Sequence, residues 1–347
     1  MMDVAYRTGI VPAEQFAKRG TQAAEGVLTS GLFCDMVRAL HVTAAQQSVD
    51  LGNCYDAVAH PIASIALQSF KVRATMVAMM LSVLQTMTFF LKTGFGQSEL
   101  NYGGTKDDPF FGFGQGNCAS PPGFLAVSTL MIEAYRRLGH GVEFVGAWSQ
   151  DVFVLAATLF VDDSDLLHLA KDPDMSDEEF HAAVQDATYD WGGLVLATGG
   201  YLKPPKCFWH LMAWKWVKGV PRLKKVSELP PTPLLIPQQD GVDVPIPLKE
   251  VTVAEKKLGV WSCPAGDFGA HVTKAVEKGE EWTEDMRAGS CPPRDAWLGL
   301  RHQLYKQMSY GFVAVSHPPE KLEAAFQRIW WRALPSLRVN RNITKEW

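Results

Sequence analysis

Residues 156 to 161 read Ala-Ala-Thr-Leu-Phe-Val, an almost wholly apolar run that meets Asp162-Asp163 and resumes from Leu166 to Leu169. Runs this short, broken by two acids, predict two β-strands joined by an acidic turn rather than a helix. The doublet also sets an electrostatic problem. Neighbouring carboxylates repel, and burying them beside apolar residues is costly unless something neutralises them. Asp is common in solvated hairpin turns, so a lone pair of this kind is usually no more than a turn.

Other residues change that balance. Asp50 closes a predicted strand, Ala44 to Leu51, in the stretch Val49-Asp50-Leu51-Gly52-Asn53-Cys54-Tyr55-Asp56. Hard oxygen ligands from one or two carboxylates suit Mg²⁺, and a pair of such ions can stabilise both oxygens of an in-line phosphoryl transfer. Gly112-Phe113-Gly114-Gln115-Gly116 is a glycine-rich loop that runs through Ser120-Pro121 into a helix, where backbone can approach a ligand closely. Lys206 follows the stiff turn Thr198 to Pro205 and is a candidate phosphate contact or proton donor. Singly, the loop is an ordinary turn and the lysine an ordinary solvated side chain.

With 347 residues the chain can build two or three subdomains around a sizeable core. Its net charge of −4 opposes a uniformly basic nucleic-acid binder, although a local basic face can coexist with an acidic remainder. Six scattered cysteines form no CxxC pair, which excludes zinc spacing and predicts buried, reduced thiols in an intracellular protein. No apolar h-region follows the N-terminus, so secretion is not expected. Met76 to Leu91 is apolar but interrupted, and too short to span a bilayer, so a buried core helix is expected and no membrane partner.

Along the chain, Ala13 to Leu28 reads as a loop entering a helix, with further helix over Gly31 to Leu40. Pro61 opens another, and a third is expected from Thr75 to Lys92. Gly94 to Pro109 reads as a hairpin or loop, and Phe124 to Leu138 and Glu178 to Leu196 as helices. Phe208 to Val217 is a tryptophan-rich strand, with Val242 to Ile246 turned back by Asp240-Gly241. Pro230 to Pro237 reads as an exposed loop, and helices dominate after Gly266. The fold class is α+β with a mainly antiparallel sheet.

In order and spacing these pieces resemble the reverse transcriptases of retrotransposons and other retroelements. Asp50, Tyr55 and Asp56 match the family's first aspartate motif. Gly112, Gln115, Gly116, Ser120 and Pro121 match G-x-x-Q-G-x-x-x-S-P, and Phe160-Val161-Asp162-Asp163 matches the aromatic-x-Asp-Asp motif. Gly199 to Lys206 resembles the following lysine segment, Leu258-Gly259 the primer grip, and Glu14 to Arg19 a fingers segment. The usual Gly-Asp-Asp of viral RNA-dependent RNA polymerases is absent.

The resemblance implies a right-hand polymerase: partial fingers over 1–44, palm over 45–60 and 109–265, more fingers over 61–108, and a helical thumb over 266–347. It implies an RNA-directed DNA polymerase, a nucleotidyltransferase that extends a DNA primer on an RNA or DNA template with deoxynucleoside triphosphates. Asp50 and Asp162, helped by Asp163, would hold two Mg²⁺, with Mn²⁺ a substitute. Lys206 would be the general acid, Tyr55 would exclude a 2′-hydroxyl, Gln115 and Gly116 would line the nucleotide pocket, and Arg19 would meet the triphosphate. Asp56 fits a structural hydrogen bond at least as well as a metal.

Two basic stretches offer phosphate-tracking surface: Lys203, Lys206, Lys215, Lys218, Arg222, Lys224 and Lys225, and then Arg328, Arg332, Arg338, Arg341 and Lys345. A solvated face is an equal reading of each, and Trp330-Trp331 is expected to pack within the thumb. The family's first fingers strand and its lysine have no match ahead of Glu14, so the chain resembles a fragment or decayed copy. A non-catalytic nucleic-acid-binding remnant and a metal-dependent phosphohydrolase are the alternatives.

Overall fold

The computed structural model describes residues 2–105, 107–146, 148–289 and 291–339. The chain divides into two compact units, each built from separate stretches: Met1–Thr21 with His41–Lys249, and Gln22–Leu40 with Glu250–Trp347. Gln22–Leu40, expected within the first fingers segment, thus belongs with the C-terminal residues.

After α1 (Met2–Arg7), α2 (Ala23–Leu40) is one continuous helix rather than two stretches. β1 (Ala44–Gly52) is buried along its whole length. Pro61 sits in the first turn of α3 (His60–Ser69), where its missing N–H costs nothing. α4 (Ala74–Gln85) stops short of the expected Lys92, because the β-branched and aromatic run beyond it favours extended backbone. That run forms β2 (Thr88–Thr93), paired with β3 (Gly96–Gly103). Nor is α4 a wholly buried core helix. It buries Val77, Leu81 and Leu84 at helical spacing and exposes Met76, Met79 and Val83.

α5 (Ser120–Arg137) starts at Ser120 ahead of the expected Phe124, with proline in its first turn. β4 (Val142–Val145) and β5 (Val152–Leu155) form a hairpin that the sequence reading did not anticipate. β6 (Ala157–Phe160) and β7 (Asp163–Leu169) are the expected acidic hairpin. α6 (Asp177–Ala197) is opened by a capping box in which the Ser176 hydroxyl accepts from Glu179 N and the Glu179 carboxylate accepts from Ser176 N. β8 (Tyr201–Leu202) follows. The tryptophan-rich run is two strands broken at Ala213: β9 (Phe208–Met212), which joins the main sheet, and β10 (Trp214–Val217), which pairs with β11 (Val220–Leu223).

The proline-rich stretch is not simply an exposed loop. It contains β12 (Leu234–Ile236), paired with β13 (Val244–Ile246), and Leu234 and Ile236 are fully buried. The Gln185 amide on α6 both donates to and accepts from the Leu235 backbone, at 2.8 Å each way, which satisfies that edge.

The first unit is organised by a wholly antiparallel sheet in the order β6-β7-β1, with β8 and β9 sharing the other edge of β1. Side chains alternate faces along a strand. Ala45, Gln47, Val49 and Leu51 therefore lie on one face, where Thr188 of α6 donates to Gln47 at 3.0 Å. Phe180, Val184, Trp191 and Val195 of α6 and Phe124, Val127 and Ile132 of α5 complete this core. Gln46, Ser48 and Asp50 occupy the opposite face.

Glu14 extends the sheet edge. Leu159 N donates to Glu14 O at 2.8 Å and Phe16 N to Leu159 O at 2.9 Å. The Glu14 side chain is fully buried and takes a two-pronged ion pair from Arg136.

In the second unit, β14 (Glu255–Lys257) and β15 (Val260–Ser262) form a hairpin, and α7 (Gly269–Ala288), α8 (Pro293–Gly299), α9 (Tyr305–Ser309) and α10 (Pro319–Ala333) form a helical cluster. Trp282, Leu300, Leu304, Met308 and Ile329 make its core. Trp330 packs there with its ring tilted against Tyr305. No helix of the described residues is long and apolar enough to cross a membrane.

Candidate functional site

Asp50 and Asp163 are direct partners across the β1–β7 ladder, so their side chains rise from the same face of adjacent strands. Asp162 lies in the two-residue turn between β6 and β7, and its carbonyl accepts from Leu51 N at 3.1 Å, tying the turn to β1. Val161, the other turn residue, has φ of 58°, a left-handed conformation that a β-branched side chain rarely takes. Two residues on, Asp165 shares the face of Asp163, and its carboxylate accepts from Ser48 and Gln46.

The carboxyl of Asp163 is pushed up from 3.8 to about 6. The surrounding protein atoms that strip its solvent are the largest cause, followed by the charges of Asp162, Asp50 and Asp165, with Lys206 opposing. Asp162 also raises the neighbouring thiol and phenol. Cys54 is pushed up to about 12, first by burial and then by Asp162, and Tyr55 is raised by burial, Cys54 and Asp162. The structure thus gathers Asp50, Asp162, Asp163, Tyr55 and Lys206 into one electrostatic neighbourhood.

Lys206 Nζ donates to Asp50 Oδ2 at 3.0 Å, and Lys203 Nζ stands 3.8 Å from Asp50 Oδ1. The hydrogen bond to Asp50, then its charge, holds the Lys206 ammonium above the ordinary lysine range. Asp50 is 8% exposed, and its Oδ1 is buried and accepts no hydrogen bond. Cys207, which sequence reasoning passed over, supports the same residue: Asp50 N lies 3.5 Å from its sulfur, and the thiol is pushed up to about 11, mainly by burial.

The donor chemistry suits a hard cation. Asp50 and Asp163 face each other with one buried oxygen unsatisfied, and the charges of Asp162 and Asp50 raise Asp163. Among the described residues no three His, Cys, Asp or Glu groups form a ready-made ligand set, and Asp50 is engaged by lysines.

The glycine loop is pinned to the turn that follows Asp50. Phe113 N donates to Tyr55 O at 2.7 Å and Gly112 N to Val58 O at 3.0 Å. Gln115 N donates to Asp56 Oδ1 at 2.9 Å, so Asp56 holds the loop. Gly112 has φ of 72°, and a Cβ there would fall 2.5 Å from the carbonyl oxygens of Tyr55 and Asp56. His60 closes the arrangement. Its Nδ1 accepts from Gln85 at 3.0 Å and its Nε2 donates to Gly112 O at 2.8 Å. Ser120 of the motif donates to the Phe113 and Gly114 carbonyls. Gln115 and Gly116 remain exposed beside a cavity of about 1200 Å³ lined by the loop, Met79, Val83, Phe89 and Phe110. The Tyr55 ring meets Phe124 edge-on, with centroids 5.9 Å apart.

Arg19 is solvated, with its side chain 84% exposed and 3.7 Å from Asp3. Leu258 and Gly259 form the β14–β15 turn, both at positive φ, and lie in the second unit. The basic stretches are less available than their sequence suggests. Lys215 pairs with Glu228, Lys224 with Asp177, and Arg328 and Arg332 with Glu280. Arg341 and Lys345 lie outside the described residues. The expected buried thiols are found at Cys34, Cys54, Cys207 and Cys263, whereas Cys118 is exposed and Cys291 partly so.

No family model and no curated protein matches the chain. Among solved structures it is similar to apo telomerase from Candida tropicalis, at 12% identity over 98% of this chain and 53% of that one, with a TM-score of 0.40. Telomerase from Candida tropicalis in complex with the TWJ fragment of telomeric RNA gives 12%, 98%, 47% and 0.42. The Candida albicans enzyme with the same kind of fragment gives 11%, 92%, 49% and 0.37. The chain spans about half the length of each. A likeness this slight decides neither family nor activity.

Proposed function

We propose that the chain is a nucleotidyltransferase of the reverse-transcriptase type, of retroelement origin, which extends a DNA primer with deoxynucleotides on an RNA or DNA template. The observation that carries this reading is the facing pair Asp50 and Asp163, with Asp162 in the adjoining turn and the Gln115 loop pinned to the turn after Asp50. The segments of Asp50, Gln115, Asp162-Asp163 and Lys206 lie in one unit, and the Leu258-Gly259 turn in the other. The central antiparallel sheet is the palm in this reading, α3 to β3 belong to the fingers, and the C-terminal helices are the thumb.

Asp50, Asp162 and Asp163 are the residues that would hold Mg²⁺, or Mn²⁺ in its place. Bound there, the cations would supply charge neutralisation for in-line phosphoryl transfer. Lys206, charged at neutral pH, donates a proton to the departing pyrophosphate. Tyr55, braced by Phe124, is the platform beneath the nucleotide sugar and excludes a 2′-hydroxyl. Gln115 and Gly116 present exposed polar backbone and side chain to the nucleotide. Arg19 is the triphosphate contact, and Leu258 and Gly259 hold the primer end.

Primer extension on poly(rA) with oligo(dT), dTTP and Mg²⁺ tests this. Extension by the wild type, abolished in Asp162→Asn, is expected. Pure, folded wild type that binds the template and primer but never extends would make the chain a nucleic-acid-binding remnant. Phosphate release from the triphosphate without primer would make it a hydrolase.

A further inference from the structure

β8 pairs with β1 just beyond Asp50, at Leu51 and Gly52, while β9 pairs with β1 just before it, from Ala44 to Ser48. The turn between them, Lys203 to Cys207, therefore straddles Asp50. Lys203 N donates to Asp50 O at 2.9 Å, Lys206 N to Lys203 O at 2.9 Å, and Cys207 brings its sulfur to Asp50 N. Pro204 and Pro205 occupy the intervening 3₁₀ turn and stiffen it. Backbone pairing on both sides of Asp50 thus delivers two lysines to one carboxylate: Lys206 to Oδ2 and Lys203 towards Oδ1.

We infer that Lys206, seconded by Lys203, is the resident counter-ion of the cation site, so that a divalent cation competes with the Lys206 ammonium for the Asp50 carboxylate. This rests on the reading of Asp50 as a cation ligand. The Lys206 ammonium lies 3.0 Å from Oδ2 and already neutralises the carboxylate, so an incoming cation meets like charge there and the two bind in competition. Displacement is feasible because the Lys206 side chain is 59% exposed and its stem can swing into water, whereas Asp50 is fixed in a buried strand. The exchange also frees the Lys206 ammonium as the cation arrives, which couples its role as proton donor to a loaded site.

The test is Mn²⁺ binding by electron paramagnetic resonance and calorimetry on the full chain, with circular dichroism verifying the fold of each variant. Lys206→Met is expected to tighten Mn²⁺ binding by up to roughly fivefold, the upper range of an exposed ion pair. Lys203→Met combined with Lys206→Met should tighten it further. A second readout follows Lys206 itself: acetylation of its amine, mapped by mass spectrometry, should rise when Mn²⁺ is added to the wild type, and should already be high in Asp50→Asn without metal. Unchanged or weaker Mn²⁺ binding in Lys206→Met, with binding abolished by Asp50→Asn, overturns the counter-ion role and leaves the cation site standing. Equal binding by wild type and Asp50→Asn, or binding by neither, overturns both.

Discussion

Replacing Asp163 by Asn should make the protein more stable at neutral pH while damaging its site. The Asp163 carboxyl is raised from 3.8 to about 6, so ionising it costs more in the folded chain than in the unfolded one. A rise of this size corresponds to about 3 kcal/mol for a fully shielded group. Asp163 is exposed as a residue, however, and its repulsion by Asp162, Asp50 and Asp165 is screened by water and salt, so about 1 kcal/mol is the figure to test. The sign follows from proton binding. The folded state holds this proton more tightly, so the contribution is present below pH 4, is lost as pH rises through the interval from 4 to 6, and is absent at pH 7. Asn cannot ionise, so the variant should lack this decline. Thermal melting at low ionic strength should place Asp163→Asn about 2–4 °C above wild type at pH 7. At pH 4 the two should converge to within about 1 °C, since the wild-type carboxyl is then largely protonated. A variant that melts below wild type at pH 7, or a gap that does not change between pH 4 and pH 7, would refute the electrostatic account of this site.

Gly112→Ala places a Cβ 2.5 Å from two carbonyl oxygens at a positive φ, so a loss of more than about 2 kcal/mol in urea unfolding is expected, with the glycine loop more open to proteolysis. Glu14→Gln leaves Arg136 facing a fully buried neutral amide and should cost about 3 kcal/mol by the same measurement. Ser176→Ala removes the capping box of α6 and should cost only about 1 kcal/mol with no change in Mn²⁺ binding, which calibrates the scale away from the site.

Local chemistry determined much of this protein from its sequence. Asp162-Asp163 between apolar runs marked a hairpin, although its turn falls one residue earlier, at Val161-Asp162; Pro61 marked a helix start, and Ala44 to Leu51 was legible as the strand that carries Asp50. Period-two alternation along the second strand puts Asp165 on the face of Asp163. Where local preference was divided, tertiary packing decided the structure. Met76 to Leu91 is mostly apolar on both sides of the boundary, and only packing separates the one-sided helix α4 from strand β2. Leu234 and Ile236 sit among prolines and are buried because α6 supplies the backbone partner for Leu235.

The acidic site divides in the same way. Its carboxylates were legible, because unlike most surface charge they interrupt apolar runs and therefore demand an explanation. Their neutralisation was not legible, because it depends on register. The direct opposition of Asp50 and Asp163, and the turn that carries Lys203 and Lys206 around Asp50, come from strand pairing between residues more than a hundred positions apart. Sequence determined which charges the site contains. The tertiary structure decided which of them face one another, since a one-residue slip in any of those ladders would turn the same side chains to the opposite face.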